Sequence, residues 1–272
     1  MRGFGESSAP KEREFYGAKN TTGDFATLLD ALDIEKAVFI GHDWGGAMVW
    51  RMCLYHPDRV LAVCGVCTPY TPPQDEYVDL DSLVKLVPQF AYHKFLSDSE
   101  AAGRKFDAAP TRFFTAMFRR NREYAADVAP IGLSKMLTGV DSGVDHPVFT
   151  TRSVLLSEDE LAYYVAQYAR QGFHPTCNLY GTHKLDFESE RGLPKVLRHK
   201  ALFIGAMNDG VLRPEMASGM PRVMPNLEMK FVPDAGHWVL WEQKEQVNAL
   251  LADWLQTIDA APRRWSDRPS KL

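Results

Sequence analysis

The sequence predicts an α/β fold, a parallel β-sheet interrupted by a helical insertion, and three observations carry that prediction. Over roughly the first seventy residues, helix-spaced segments alternate with short apolar runs. The same alternation returns after Ala201. Between about Pro72 and Pro194 the strand signals fade, and aromatic-rich segments of helical spacing replace them.

Each element has its own signal. Asp24 to Asp33 reads as an amphipathic helix, with Phe25, Leu28, Leu29 and Leu32 at i, i+3, i+4 and i+7. Ala37-Val-Phe-Ile40 is β-branched, aromatic and too short for a helix, so it reads as a buried strand ending at Gly41. Ala47 to Tyr55 is helical in spacing and closed by His56-Pro57. Val60 to Cys67 reads as a second strand, stopped by Thr68-Pro69. In the insertion, Pro110 to Tyr124 and Ser157 to Gln171 read as helices. The second opens with the capping box Ser157-x-x-Glu160 and stops at Gly172. Ala201 to Gly205 and Glu228 to Val232 read as strands, and Glu245 to Ile258 as a helix with Val247, Leu250, Leu251 and Leu255 on one face.

Composition narrows the function. With 31 Lys and Arg against 35 Asp and Glu, the net charge of −4 has the wrong sign for a nucleic-acid footprint or a polybasic membrane anchor. No apolar run reaches the ~18 residues of a membrane span, and Met1 to Ser8 has no apolar core of a signal peptide. Cys64 and Cys67 have the C-x-x-C spacing of zinc or redox sites, but they sit inside an apolar run with no second pair, so they read as buried strand cysteines. That usage suits a reducing compartment. The sequence ends Ser270-Lys271-Leu272, the peroxisomal address read by an import receptor; without it the expectation is cytoplasmic.

The chemistry concentrates in Gly41-His42-Asp43-Trp44-Gly45-Gly46, directly after one strand and before one helix. The G-x-x-x-G frame there is that of a nucleophile elbow with Asp43 in the place of Ser; the plain alternative is a βα turn with an Asp helix cap. Asn208-Asp209-Gly210 and Asp234-Ala-Gly-His237-Trp238 each follow a predicted strand, the place where open α/β sheets put their sites. The order nucleophile, acid, histidine is that of an elbow triad.

These residues resemble the soluble epoxide hydrolases, a family of α/β-hydrolase fold. The resemblance covers nearly the whole chain: Arg2 to Pro10, the elbow, Thr68-Pro69, Asn208 to Leu212 and Asp234 to Trp238. It implies a hydrolase core at 1–71 and 195–272 with a helical cap at 72–194, and an enzyme that opens an apolar epoxide to a diol with water, in lipid or secondary-metabolite chemistry and without cofactor or metal. Asp43 would attack the epoxide carbon and form an ester, His237 would activate water against it, and Asp209 would orient His237. Two cap tyrosines protonate the leaving oxygen in the family; their contexts match Tyr92, after Pro88-Gln-Phe90, and Tyr180, after Cys177-Asn-Leu. The Trp44 N–H is expected in the oxyanion hole, with His42 beside it in the oxyanion and substrate-binding set. Tyr163, Tyr164 and Tyr168 read as helix packing. A homo-oligomer is left open.

One departure stands out. The family's His-Gly-x-Pro-type loop supplies the second oxyanion donor, and this sequence contains no His-Gly dipeptide. By the resemblance the chain begins past that loop and the first strands, so the expectation is an N-terminally truncated core with an open apolar edge at 37–40. It would form the Asp43 ester but hydrolyse it about 10²–10³-fold slowly. Two rivals remain. A haloalkane dehalogenase also carries an elbow Asp followed by Trp, but no Trp lies between residues 72 and 194 to bind a halide. A truncated non-catalytic homologue would bind epoxide mimics without turnover.

Overall fold

A computed structural model describes residues 1–120, 123 and 133–258. Helix α1 (Ala18–Ala31) leads to strand β1 (Ala37–His42), helix α2 (Trp44–Tyr55) and strand β2 (Val60–Val66). After the insertion come β3 (Lys200–Ala206) and β4 (Leu227–Val232), then the helix Lys244–Gln256. The four strands form one sheet in the order β1-β2-β3-β4, every pair parallel. Both predicted halves of the α/β pattern therefore join one sheet.

Burial follows position in that sheet. β2 and β3 are central and almost wholly buried, as expected for parallel strands covered on both faces. β1 and β4 lie at its edges, where Ile40 and Phe231 are exposed. Trp50 of α2 lies so close over β2 that a side chain at Gly65 would meet its ring at 2.4 Å. Trp50 Nε1 also donates to the Thr68 carbonyl at 2.9 Å, which satisfies the buried indole N–H.

The helical insertion is observed: no strand lies between Val66 and Lys200 among the described residues. Its core is aromatic, built on Phe106, Phe114, Phe118, Phe149 and Phe173. The capping box at Ser157 is formed in both directions and opens the helix Glu158–Tyr168. Cys53, Cys64, Cys67 and Cys177 are buried free thiols, as their apolar surroundings required.

Several boundaries and faces differ from expectation. α1 begins six residues before Asp24, and its buried face is Thr21, Thr22, Ala26 and Leu29 while Leu28 points to solvent. The buried Thr22 hydroxyl bonds back to the Ala18 carbonyl, so a polar residue satisfied within the helix serves the buried face. In the helix Lys244–Gln256 the buried partner of Val247 is Trp254, and Leu255 is exposed. The helix from Pro110 ends at Met117, and Tyr124 lies outside the described residues. Tyr163 is exposed rather than packed. The Ser270-Lys271-Leu272 tail also lies outside the described residues.

The turn from β1 into α2 is a very close approach of backbone to backbone. A Cβ on Gly41 would stand 2.2 Å from the Gly45 carbonyl oxygen, and one on Gly46 2.9 Å from Thr68 Cβ. Neither neighbour is the free end of a flexible side chain. Gly41→Ala is therefore expected to destabilise the protein by about 1–3 kcal/mol through overpacking. The check is a lower denaturant midpoint at unchanged slope; an unaltered midpoint would mean the turn opens freely.

Candidate active site

Three loops at the carboxyl ends of strands build the site, where an open parallel sheet concentrates its ligands. Asp43 follows β1, Asp209 follows β3 and His237 follows β4. Asp43 sits at φ 53° and ψ −123°, a strained conformation for a residue with a side chain. It stands at the N-cap position of α2, yet its side chain makes no capping bond, which overturns the helix-cap reading. The Thr68 hydroxyl donates to the Asp43 carbonyl at 2.6 Å and helps hold the strained turn. The sequence marked Thr68 only as a strand stop and part of the resemblance; its supporting role depends on β2 ending beside β1.

His237 joins the two carboxylates. Its Nδ1–H donates to Asp209 Oδ2 at 2.8 Å, and its Nε2 lies 3.4 Å from Asp43 Oδ2. Asp209 has a fully buried side chain. Its other oxygen accepts the Val211 and Leu212 N–H groups, each at 2.9 Å. Every face of that carboxylate is thus held, so it fixes the imidazole tautomer and leaves Nε2 toward Asp43.

The electrostatics follow from this packing. Burial opposes charge on all three groups, but mutual pairing outweighs it. The Asp43 carboxyl is held far below the ordinary range by the His237 hydrogen bond and charge, with the Trp44 N–H adding to the effect. Burial would raise the Asp209 carboxyl, yet His237 and the two backbone donors lower it. Burial would lower His237, yet hydrogen bonds and charge from Asp209 and Asp43 raise it to about 10.

Of the other expected residues, Trp44 places its backbone N–H at the Asp43 carboxyl. Tyr92 and Tyr180 come together across the site, with ring centroids 5.9 Å apart. Tyr180 also meets Trp44 edge-on at 5.1 Å. Both phenols are pushed up, by burial first and then by charges that include Asp43. His42 requires a correction. Its Nε2–H donates to the His237 carbonyl at 2.8 Å and its ring packs 4.8 Å from the His237 ring. It braces the far side of His237 instead of lining the substrate space, because alternate residues of a strand end face opposite ways. Trp238 ties the histidine loop to the insertion, donating to the Met117 carbonyl at 2.6 Å and stacking on Phe118 at 4.1 Å.

A cavity of about 490 Å³ opens beside Asp43, between the sheet and the insertion. Trp44, Ala47, Met48 and Arg51 line it from one face of α2, at the i, i+3, i+4, i+7 spacing of a helix stripe. Tyr92, His93 and Phe90 line it from the insertion. The volume suits a small organic ligand, and the walls are mainly apolar. His42, Cys67 and His237 place possible ligand atoms within 4.8 Å of one another. His237 Nδ1 and His42 Nε2 are engaged in the hydrogen bonds above and the Cys67 thiol is pushed high by burial, so the donors do not fit a metal centre.

The sequence matches the family described as alpha/beta hydrolase fold over residues 1–244. It is 34% identical over 261 residues to bifunctional epoxide hydrolase 2 of Mus musculus, covering 94% of this chain and 46% of the mouse protein. The chain spans about half the length of such curated relatives, since the Rattus norvegicus and Sus scrofa proteins are covered to 46% and 45%. It is 30% identical to an epoxide hydrolase of Caballeronia sordidicola, over 96% of this chain and 78% of that protein. The crystal structure of epoxide hydrolase A from Mycobacterium thermoresistibile aligns with a TM-score of 0.81 at 29% identity, over 96% of this chain and 82% of that one.

Proposed function

The chain belongs to the α/β-hydrolase family and within it to the epoxide hydrolases, and from that premise we propose that it opens an apolar epoxide to a vicinal diol through an ester on Asp43. The observation that carries this reading is the single imidazole set between two carboxylates, one 2.8 Å and one 3.4 Å away, beside a largely apolar cavity.

In the first step an Asp43 oxygen attacks an epoxide carbon from the side opposite the ring oxygen. The carbon–oxygen ring bond breaks, its electron pair goes to oxygen, and Tyr92 or Tyr180 supplies the proton. Asp43 suits this role because its depressed carboxyl stays ionised. The phenols, raised by burial, remain protonated donors. In the second step water gives a proton to His237 Nε2 and adds to the ester carbonyl, and the oxyanion accepts from the Trp44 N–H. Collapse breaks the acyl carbon–oxygen bond, the departing oxygen takes the proton from His237 Nε2 to complete the diol, and Asp43, now holding one water-derived oxygen, returns its remaining proton to His237.

The charge balance supports this order. In the free enzyme two anions hold the proton on His237. Ester formation neutralises Asp43, so one anion is lost, the His237 pKa falls, and its proton passes to the tyrosinate left by the first step, which frees Nε2 to act as the base. The helical insertion at 72–194 acts in this reading as a cap carrying the two proton donors. Ser270-Lys271-Leu272 supports a peroxisomal destination for a chain whose carboxyl terminus it forms.

One turnover in ¹⁸O-water tests the route. The first diol is expected to carry unlabelled oxygen from the enzyme, and mass spectrometry of the digest is expected to place the label in the peptide holding Asp43. Label in the first diol would mean direct attack by water and would reject the ester.

A further inference from the structure

His93 takes no part in the chemistry above, yet it stands beside Trp44 and both tyrosines. It begins the short helix His93–Leu96, with Tyr92 at the capping position. Its ring stacks on Phe90 at 5.0 Å, meets Tyr92 at 4.6 Å and Tyr180 at 5.0 Å edge-on, and faces Trp44 at 6.4 Å. It lines the same cavity as Asp43 and Tyr92. Two aromatic residues would make an adequate apolar wall there; an imidazole brings polar atoms that must be satisfied.

One of them is not satisfied by the protein. Nδ1 is closed off from solvent and has no hydrogen-bond partner among the described residues. Burial, with the nearby His183 contributing, pushes the ring down to about 4, so it is neutral at working pH. A neutral imidazole carries one N–H and one lone pair. With the lone pair on the enclosed Nδ1, the N–H falls on Nε2. The ring is thus unsuited to hold charge or to shuttle protons at neutral pH, and suited to one directional hydrogen bond.

We propose that His93 is a specificity-determining residue that hydrogen-bonds a hydroxyl on the substrate carbon next to the epoxide ring, so that the cavity favours epoxy alcohols over plain hydrocarbon epoxides. This rests on the reading of the cavity as an epoxide site. When the ring oxygen lies between Tyr92 and Tyr180, the neighbouring imidazole is placed to meet the adjoining substituent. A site that offers a buried polar group penalises the analogue lacking its partner.

Equilibrium binding tests this without relying on turnover. An aliphatic 2,3-epoxy alcohol and the same epoxide lacking the hydroxyl are titrated into the Asp43→Asn protein by calorimetry. The alcohol is expected to bind about tenfold more tightly, the size of one hydrogen bond to a neutral group. Adding His93→Phe, which keeps the aromatic wall, is expected to bring the ratio to within about twofold; His93→Gln, which keeps a donor, is expected to retain most of it. A ratio near one before the change at His93, a ratio surviving His93→Phe, or no binding of either compound overturns the proposal. If the ratio behaves as expected while the unsubstituted enzyme opens neither epoxide, the assigned reaction fails and the binding role of His93 stands.

Discussion

Replacing Asp43 with Asn is expected to lower epoxide turnover by a factor on the order of 10⁴ or more, the scale on which loss of a covalent nucleophile acts. Asn is nearly isosteric, so the strained turn, the Thr68 hydrogen bond to the backbone carbonyl and the cavity wall should persist. What disappears is the anionic oxygen that attacks the epoxide carbon. A second readout separates this from misfolding. Removing the Asp43 charge takes away one of the two anions that hold the His237 proton, so the histidine should titrate below the value of about 10 it has in the intact site. Titration followed by NMR of the labelled ring measures that shift. A variant that folds, shows the altered histidine and still opens epoxides would remove Asp43 from the chemistry.

His237→Gln is expected to divide the reaction in two. Attack by Asp43 needs no base, so the first step should continue; ester hydrolysis should slow by about 10²–10⁴-fold, the usual share of a general base. The enzyme should then stall after one equivalent, with substrate mass attached to the peptide containing Asp43. Steady turnover without an adduct would reject the assignment. The intact enzyme carries the corresponding pH signature. Ester hydrolysis requires neutral His237, so its rate should rise with pH and level off, with a midpoint below the value of about 10 found while Asp43 is ionised. Stability should move the other way. The folded His237 pKa is raised, so its contribution is complete below the ordinary 6.5 and is lost as pH rises toward about 10. Asp43 and Asp209 are depressed, so theirs is complete above the ordinary 3.8 and is lost as pH falls. The three-group network is therefore at full strength between about pH 4 and 6.5.

What could be read in advance was local. β-branched runs bounded by glycine and proline marked the strands, because those side chains pack on a sheet and those breakers cannot continue one. The small residues around Asp43 marked the elbow, since Gly41 approaches the Gly45 carbonyl too closely for any side chain. The misreadings were failures of faces. Leu28 and Leu255 fit an apolar stripe by spacing, but Ala26 and Trp254 are the residues buried instead, and helix rotation is set by what it packs against.

His42 shows the same limit at the site. One residue from the nucleophile in sequence, it turns away from the cavity and supports His237 from 195 residues further along the chain. The amino-acid order by itself determined which chemical groups were available and that a tight strand-to-helix turn would present an acid. Only the folded sheet decided which of those groups share a proton. Parallel strands bring their carboxyl ends to one rim whatever their separation in the chain, so the 2.8 Å contact of Asp209 with His237, the bracing by His42 and the unpartnered imidazole of His93 are products of packing. Distances between remote residues are set by the whole core, and no local run of sequence encodes them.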